Sequence, residues 1–394
     1  MIKKAVVLAA GEGKRLKPFT ETMPKVMLPV ANKPILKHVF DAVQKSGVEE
    51  LIVVVGYKKE VIMDYFRDQN NITYVVQEKQ LGTAHALLQA REHVNEPFIV
   101  LAGDNIIDHK SISKMIQSRS NISILVKEHP SPSKYGVVFL EKNRLKRIVE
   151  KPRDETSKFI STGIYRFPNS IFDEINRLTS QGVYDLTALI QSLLDHGNEI
   201  QTIGADQWMD VVYPWDIIDV NEAMIHDAPS LLGGNIGKGV TMKGRVTVGK
   251  DTTIYTGSYI QGPVVIGEGC EIGPNVCVFP STVIGNNVVI HPFSEIRNSV
   301  IMDEVHIGSN AFISHSVIGK GSRIKSHFST IPGRSTVEIE GEFKKLSNIG
   351  AIVGEDCSIS SHVVVEAGRI IGRRCEIKSF KRVAEDVPSE SKVM

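Results

Sequence analysis

The sequence predicts two folds in series, a doubly wound α/β domain with a mainly parallel sheet and then a parallel β-helix. Three observations carry this. The first hundred residues alternate short apolar, β-branched runs with amphipathic helical patterns. From about residue 236, an aliphatic side chain recurs every six positions, a period that neither an α-helix nor an alternating strand possesses. At 394 residues, the chain is also longer than one core ordinarily serves.

In the first half, Lys4–Ala10, Leu51–Gly56, Ile72–Gln77 and Phe98–Gly103 read as strands buried on both faces, because their apolar runs are nearly unbroken. Helical patterns lie between them. Pro34 suits a first-turn position, Ile35, Leu36, Val39, Phe40 and Val43 share one face, and Gly47 closes the segment. Similar patterns span Glu60–Asp68 and Ala84–Val94, and a further helix is predicted over Trp215–Ile225. The segment DAPSLLGG, from Asp227, then interrupts the helical pattern. The domain expectation is therefore 1–227, a linker at 228–235, and 236–394.

The second half repeats Ile236, Met242, Val248, Ile254, Ile260, Ile266, Ile272, Val278, Ile284, Ile290, Ile296 and Met302, often with glycine next, as at Gly237, Gly249, Gly267, Gly273 and Gly285. The phase slips and resumes at Phe312, Ile318 and Ile324. An insertion over about 326–352 breaks it, and it returns at Val353, Ile359, Val365, Ile371, Ile377 and Val383. In such a coil each aliphatic points into a triangular prism and the small residue after it turns the corner. The repeat resembles the left-handed form. Its flat faces suit side-by-side packing, so a homo-oligomer, a trimer first, is expected.

Composition removes several classes of function. With 46 basic and 45 acidic residues the net charge is +1, which leaves no bulk field for nucleic acid or anionic membrane. Cys270, Cys277, Cys357 and Cys375 lie far apart with no CxxC pair, as expected of reduced packing thiols in the cytoplasm. The apolar run from Ala5 to Leu8 is too short for a signal h-region or a membrane span.

The chemistry concentrates in LAAGEGKRLKPFTETMPKVMLPV, residues 8–30. A Walker loop would need Ser or Thr after Gly13-Lys14, where Arg15 stands. A dinucleotide fingerprint would need glycine at Leu16. The physical features of a phosphate cradle nevertheless remain. Gly11 and Gly13 let backbone N–H groups approach a polyphosphate, Arg15 supplies a fork of donors, and Lys25 supplies a compact charge. A plain turn after the first strand accounts for the glycines equally well.

The stretch resembles the signature of the sugar-1-phosphate nucleotidylyltransferases, LAAGxGTRLxPLT followed by PKxLxPV. Here it stands as LAAGEGKRLKPFT and PKVMLPV, with Lys14 in place of the usual threonine. The resemblance implies a Rossmann-like nucleotidyltransferase domain with Arg15 and Lys25 as catalytic cations. It implies nucleotide contacts at Leu8, Ala9, Gly11, Gly13, Gln77, Gly82 and Thr83, the last three within QEKQLGTAHA. A glutamine amide at that place suits uracil or thymine, so the implied nucleotide is UTP or dTTP. Asp104 in LAGDNIID and Asp210 in WMDVVYPWD match ligands for Mg2+. Gly136 after Tyr135, Glu150 and Lys151 in VEKP, and Thr162 in STGIY match the sugar-phosphate pocket. Ordinary readings exist for each: Asp104 as a cap, Asp210 as a turn residue, and Glu150 with Lys151 as an exposed pair. His85 and Asn105 read as structural.

Over its whole length the chain resembles archaeal bifunctional enzymes that make UDP-N-acetylglucosamine, with an amino-sugar acetyltransferase in the β-helix. That resemblance implies acetyl-CoA as co-substrate and His315, in ISHSVIG, as general base. Two departures mark this region. Ile318 replaces the family tyrosine, and the loop IPGRSTVEIEGEFKKLSN carries Lys344, Lys345 and Asn348 at a different spacing. A glucose-1-phosphate uridylyl- or thymidylyltransferase whose β-helix only oligomerises, and a non-catalytic regulatory subunit, are the alternatives.

Overall fold

The computed structural model describes residues 2–152 and 157–394. They form two compact units: Met1–Glu12, Met23–Met27 and Pro34–Asp210 in one, and Gly13–Thr22, Leu28–Lys33 and Val211–Met394 in the other. The signature stretch is thus divided between them.

The first unit is built on a nine-stranded sheet. From one edge its order is Ile72–Val76, Glu50–Val55, Lys4–Ala9, Phe98–Ala102, Phe159–Phe167, Ser123–Glu128, Gln201–Gly204, Arg144–Glu150 and Gly136–Glu141. The first four strands are parallel. Unbroken apolar runs are explained by the alternation of side chains: Val6 enters one hydrophobic cluster, whereas Ala5 and Val7 enter the cluster on the opposite face. The helix Ile35–Lys45 buries Ile35, Leu36, Val39, Phe40 and Val43. Pro34 stands one position before its first turn, at the N-cap. The expected helix over Ala84–Val94 is instead an α-helix, Thr83–Gln89, followed by a 3-10 turn, Arg91–His93.

The second half of the sheet is mixed. Phe159–Phe167 runs antiparallel to both neighbours, and Arg144–Glu150 pairs antiparallel with Gly136–Glu141. A separate two-stranded ribbon joins Asn105–Ile107 to Trp208–Asp210. Among the described residues, no helix is long and apolar enough to cross a membrane.

The second unit is a left-handed β-helix of three parallel sheets with eight, nine and eight strands. Val246 pairs with Val264, Ile254 with Ile272 and Tyr259 with Cys277, so one turn of the coil takes eighteen residues. The phase slip has a definite origin. Val283 pairs with Val300, and Ile296 with Ile313, each offset by seventeen, so these turns are one residue shorter. The inward residues there are therefore Ile301 and Ile313, both fully buried, and not Met302 and Phe312 as the six-residue count expects.

The insertion is narrower than 326–352. Ser329–Thr330 still belongs to a coil sheet, and a hairpin of Gly333–Ile339 with Glu342–Ile349 leaves the coil and returns. The re-entry point is Gly350, where a Cβ would lie 2.1 Å from the Ser314 carbonyl oxygen. The four thiols are free and unbridged. Burial pushes the Cys357 thiol up to about 12.

Candidate active site

At the carboxyl end of the parallel strands, three predicted residues meet. The Lys25 ammonium donates to Asp104 Oδ2 at 2.6 Å and to Asp210 Oδ1 at 3.0 Å. Topology explains the convergence. Asp104 follows the strand ending at Ala102, and the two-stranded ribbon sets Asp210 directly opposite Asn105, its neighbour in sequence. The Lys25 side chain is 15% exposed and that of Asp210 11%. Burial alone would lower the lysine's pKa, but the two carboxylates outweigh it and hold the ammonium above its ordinary range.

Beside this centre, Gly103 donates its N–H to the Leu8 carbonyl at 2.8 Å, which ties the ends of the two central strands together. A Cβ at Gly103 would meet that oxygen at 2.9 Å. Gly11 differs, because a Cβ there would enter open space. The fold places no steric demand for glycine at this position.

Gln77 is buried just past the end of its strand. Its Nε2 donates to the Gly82 carbonyl at 3.2 Å and lies 2.9 Å from His85 Nδ1. The amide is thereby held in one orientation. A side chain at Gly82 would collide with Tyr184, whose carbonyl oxygen would lie 2.6 Å from the Cβ. Thr83 Oγ1 accepts from the Leu186 N–H, anchoring the helix Leu186–Asp195.

In the sugar-phosphate set, Gly136 and Glu150 face one another across antiparallel strands. Glu150 Oε2 accepts from the Thr187 hydroxyl at 2.9 Å, and Lys151 lies 3.5 Å from Glu150 Oε1. Lys151 has φ 43°, an uncommon conformation for a non-glycine residue, and its N–H donates to the Tyr135 carbonyl. Thr162 is buried, and its hydroxyl is committed to the Leu125 carbonyl.

Gly13, Arg15 and His315 belong to the second unit. Gly13 adopts φ 76°, which favours glycine, and opens the 3-10 turn Lys14–Leu16. Arg15 Nη2 pairs with Glu342 Oε1 at 3.2 Å, and Glu342 also accepts from the Tyr213 hydroxyl and pairs with Lys344. His315 sits at a corner of the coil, with Nδ1 2.8 Å from Ser314 Oγ and Nε2 2.8 Å from Asn348 Nδ2. Burial lowers its pKa, while the charges of Glu222 and Asp219 partly restore it.

Several of these partners escaped the sequence reading. His85, inside QEKQLGTAHA, reads in the sequence only as structural, and its contact with the Gln77 amide emerges from the fold. Asp219 and Glu222, three apart and so on one face of the helix Asp216–Ile225, carried a weak signal. Asn348 stood in the sequence only as a loop residue at a different spacing from the family's, and Glu342 carried no signal; the hairpin's return at Gly350 brings Asn348 onto His315.

The comparisons with known proteins agree on a family. Residues 4–226 match the Nucleotidyl transferase family model, and residues 260–365 match the GMPPB C-terminal domain. The bifunctional protein GlmU of Methanococcus maripaludis is 33% identical over 398 residues, which covers 98% of this chain and 96% of that protein. This chain belongs to the sugar-1-phosphate nucleotidylyltransferase family. A bifunctional sugar-1-phosphate nucleotidylyltransferase/acetyltransferase of Sulfurisphaera tokodaii is 32% identical over 82% of this chain and 76% of its own length. The UTP–glucose-1-phosphate uridylyltransferase AglF of Haloferax volcanii is 39% identical over 54% of this chain and 93% of its own length. The inositol-1-phosphate CTP transferase structure from T. maritima aligns with a TM-score of 0.50 at 23% identity, covering 55% of this chain and 91% of that one, and shares the fold.

For this nucleotidylyltransferase, the donor set at Lys25 tests whether a divalent cation suits the site. Asp104 and Asp210 present hard carboxylate oxygens to a point already taken by a cation. Among the described residues, no group of three His, Cys, Asp or Glu side chains gathers into a metal cage. The fit to Mg2+ rests on the two carboxylates alone, a donor set that this ion commonly takes while completing its shell with phosphate and water.

Proposed function

We propose that the enzyme joins UTP to N-acetylglucosamine 1-phosphate, giving the UDP-sugar and pyrophosphate, and that its β-helix acetylates the amino-sugar 1-phosphate with acetyl-CoA. The observation that carries the first reaction is the Lys25 ammonium held between Asp104 and Asp210 at the carboxyl edge of the sheet.

The sugar phosphate is ionised at neutral pH and needs no side-chain base. One of its oxygens attacks the α-phosphorus in line, the bond to the bridging oxygen of the β-phosphate breaks, and pyrophosphate leaves with the electron pair. Lys25 offsets charge at the α-phosphate, Arg15 and the amides of Gly11 and Gly13 take the pyrophosphate, and Gln77 selects a pyrimidine. Glu150 accepts from sugar hydroxyls and Lys151 steadies the sugar's phosphate, with Gly136 and Thr162 framing the pocket. Asp104 and Asp210 would hold Mg2+, which supplies further neutralisation of phosphate charge. Leu8, Ala9, Gly82 and Thr83 shape the nucleotide's seat.

In the second reaction the sugar amine attacks the thioester carbonyl, His315 takes the amine's proton, and coenzyme A leaves as the thiol. A near-neutral imidazole suits that step. A matrix of triphosphates against sugar 1-phosphates, scored by pyrophosphate release, tests the first reaction. Greatest turnover with UTP and N-acetylglucosamine 1-phosphate is expected. Preference for glucose 1-phosphate would favour the AglF-like reading instead. Incubation with glucosamine 1-phosphate and acetyl-CoA should release free thiol, and its absence would leave the β-helix an oligomerising or regulatory module.

A further inference from the structure

The strand Glu342–Ile349 touches two functional side chains, one near each end. At its start, Glu342 holds the Arg15 guanidinium at 3.2 Å. Six residues on, about 20 Å along an extended strand, Asn348 lies 2.8 Å from His315 Nε2. Glu342, Lys344 and Leu346 are half-buried, and Phe343 and Lys345 between them are exposed, so one face of the strand is turned inward.

Each contact engages the group that chemistry would use. A carboxylate on Arg15 competes directly with a phosphate for the same N–H donors. An amide nitrogen can only donate, so with Asn348 Nδ2 on Nε2 the neutral imidazole carries its proton on Nδ1, toward Ser314 Oγ, and its basic lone pair is covered. Glu342 is further tied by Tyr213 and Lys344, which keeps it in place on Arg15. The hairpin has no other described strand pairing than its own two strands. Buried Val337 and the Arg369–Ser335 hydrogen bond anchor the hairpin's first strand, but a displacement of the second strand over 342–348 would leave the coil's ladders unbroken.

We propose that Glu342 and Asn348 are positioning residues on one movable strand: a polyphosphate displaces Glu342 from Arg15, and the release of the strand uncovers His315 Nε2. The proposal rests on the assignment of Arg15 to the triphosphate and of His315 to acetyl transfer. Its consequence is reciprocal coupling, because any ligand that favours the released strand at one end favours it at the other.

Hydrogen exchange of the full-length protein, read by mass spectrometry, tests it. Saturating UTP with Mg2+ should raise deuterium uptake in peptides covering 342–349. In Glu342→Gln that uptake should already be high without nucleotide and should not rise further. The same variant should bind UTP about two- to fivefold more tightly, the range for loss of a half-exposed competing ion pair. Histidine-labelled NMR supplies the second readout: the His315 resonance should move on UTP addition in the wild type and lose that response in Asn348→Ala. If Arg15→Gln binds UTP at least tenfold more weakly, yet UTP leaves wild-type hairpin exchange and the His315 resonance unchanged, the coupling is overturned alone. If Arg15→Gln binds UTP as tightly as wild type, the assignment of Arg15 fails and the coupling fails with it.

Discussion

Replacing Lys25 with alanine tests the centre of the site most directly. The ammonium lies 2.6 and 3.0 Å from two carboxylates. At an effective dielectric near 20, each contact carries about 6 kcal/mol of gross attraction. Desolvation of the buried ammonium offsets much of it, so the intact triad is not a large net source of stability. Truncation has a different effect, because it leaves two carboxylates with no cation between them. The loss on breaking such a cluster is about 3 kcal/mol, the low end for buried pairs, since the Asp104 side chain is 32% exposed. Thermal unfolding should therefore show a lowered midpoint in Lys25→Ala, and added Mg2+ should raise that midpoint more than it raises the wild type's, because the cation takes the vacated place. Turnover in a pyrophosphate-release assay should fall by about 10²- to 10³-fold, the scale of losing one transition-state charge stabiliser. A folded Lys25→Ala protein with the wild-type midpoint, indifference to Mg2+ and turnover within about threefold of normal would refute this reasoning.

Gln77→Glu removes the donor that binds the Gly82 carbonyl and sets a carboxylate against it, so kcat/KM for UTP should drop by about 10²-fold; triphosphate competition assays would show the loss. His129 is held below its ordinary value of 6.5 by burial, in contact with Tyr135 and Trp208, and His315 is lowered likewise. Below pH 6.5 the unfolded chain binds these protons first, so stability is complete above that pH and declines as the pH falls through the lower folded values. His129→Phe should flatten this acid limb in midpoints measured from pH 7.5 down to 5, and an unchanged slope would count against it. Among the thiols, Cys270, Cys357 and Cys375 are buried and Cys277 is half-buried. A thiol reagent at pH 8 should label Cys277 first in the native protein, as peptide mapping would reveal.

Much of the fold was legible because its periods are physical. Strands buried on both faces need unbroken apolar runs, and a prism with three sides needs one inward residue in six. The count failed where the coil shortened by one residue, near Asn298, since a deletion at a corner leaves the local pattern intact and merely shifts its phase onto Ile301 and Ile313. The mixed second half of the sheet was less legible. Its strand Arg144–Glu150 interleaves buried Leu145 and Ile148 with charge, and Gly136–Glu141 offers only the four-residue apolar run 137–140, so neither is announced by a long continuous run.

In the site, Lys25, Asp104 and Asp210 were readable as motif positions, and the tertiary structure added their mutual contact. That contact depends on the ribbon that pairs Trp208–Asp210 with Asn105–Ile107, a pairing across a hundred residues with no local trace. The contact of Glu342 with Arg15, and of Asn348 with His315, likewise joins segments whose meeting no linear pattern reports.

By itself, the sequence determined the fold classes and the family, since each depends on residue type and local spacing. Only the tertiary structure decided that Lys25 bridges two carboxylates, that Gln77 is clamped by Gly82 and His85, and that one hairpin strand touches both Arg15 and His315. Local spacing governs which face of an element a side chain occupies, whereas contacts between distant segments depend on strand pairing and coil re-entry, which the spacing does not encode.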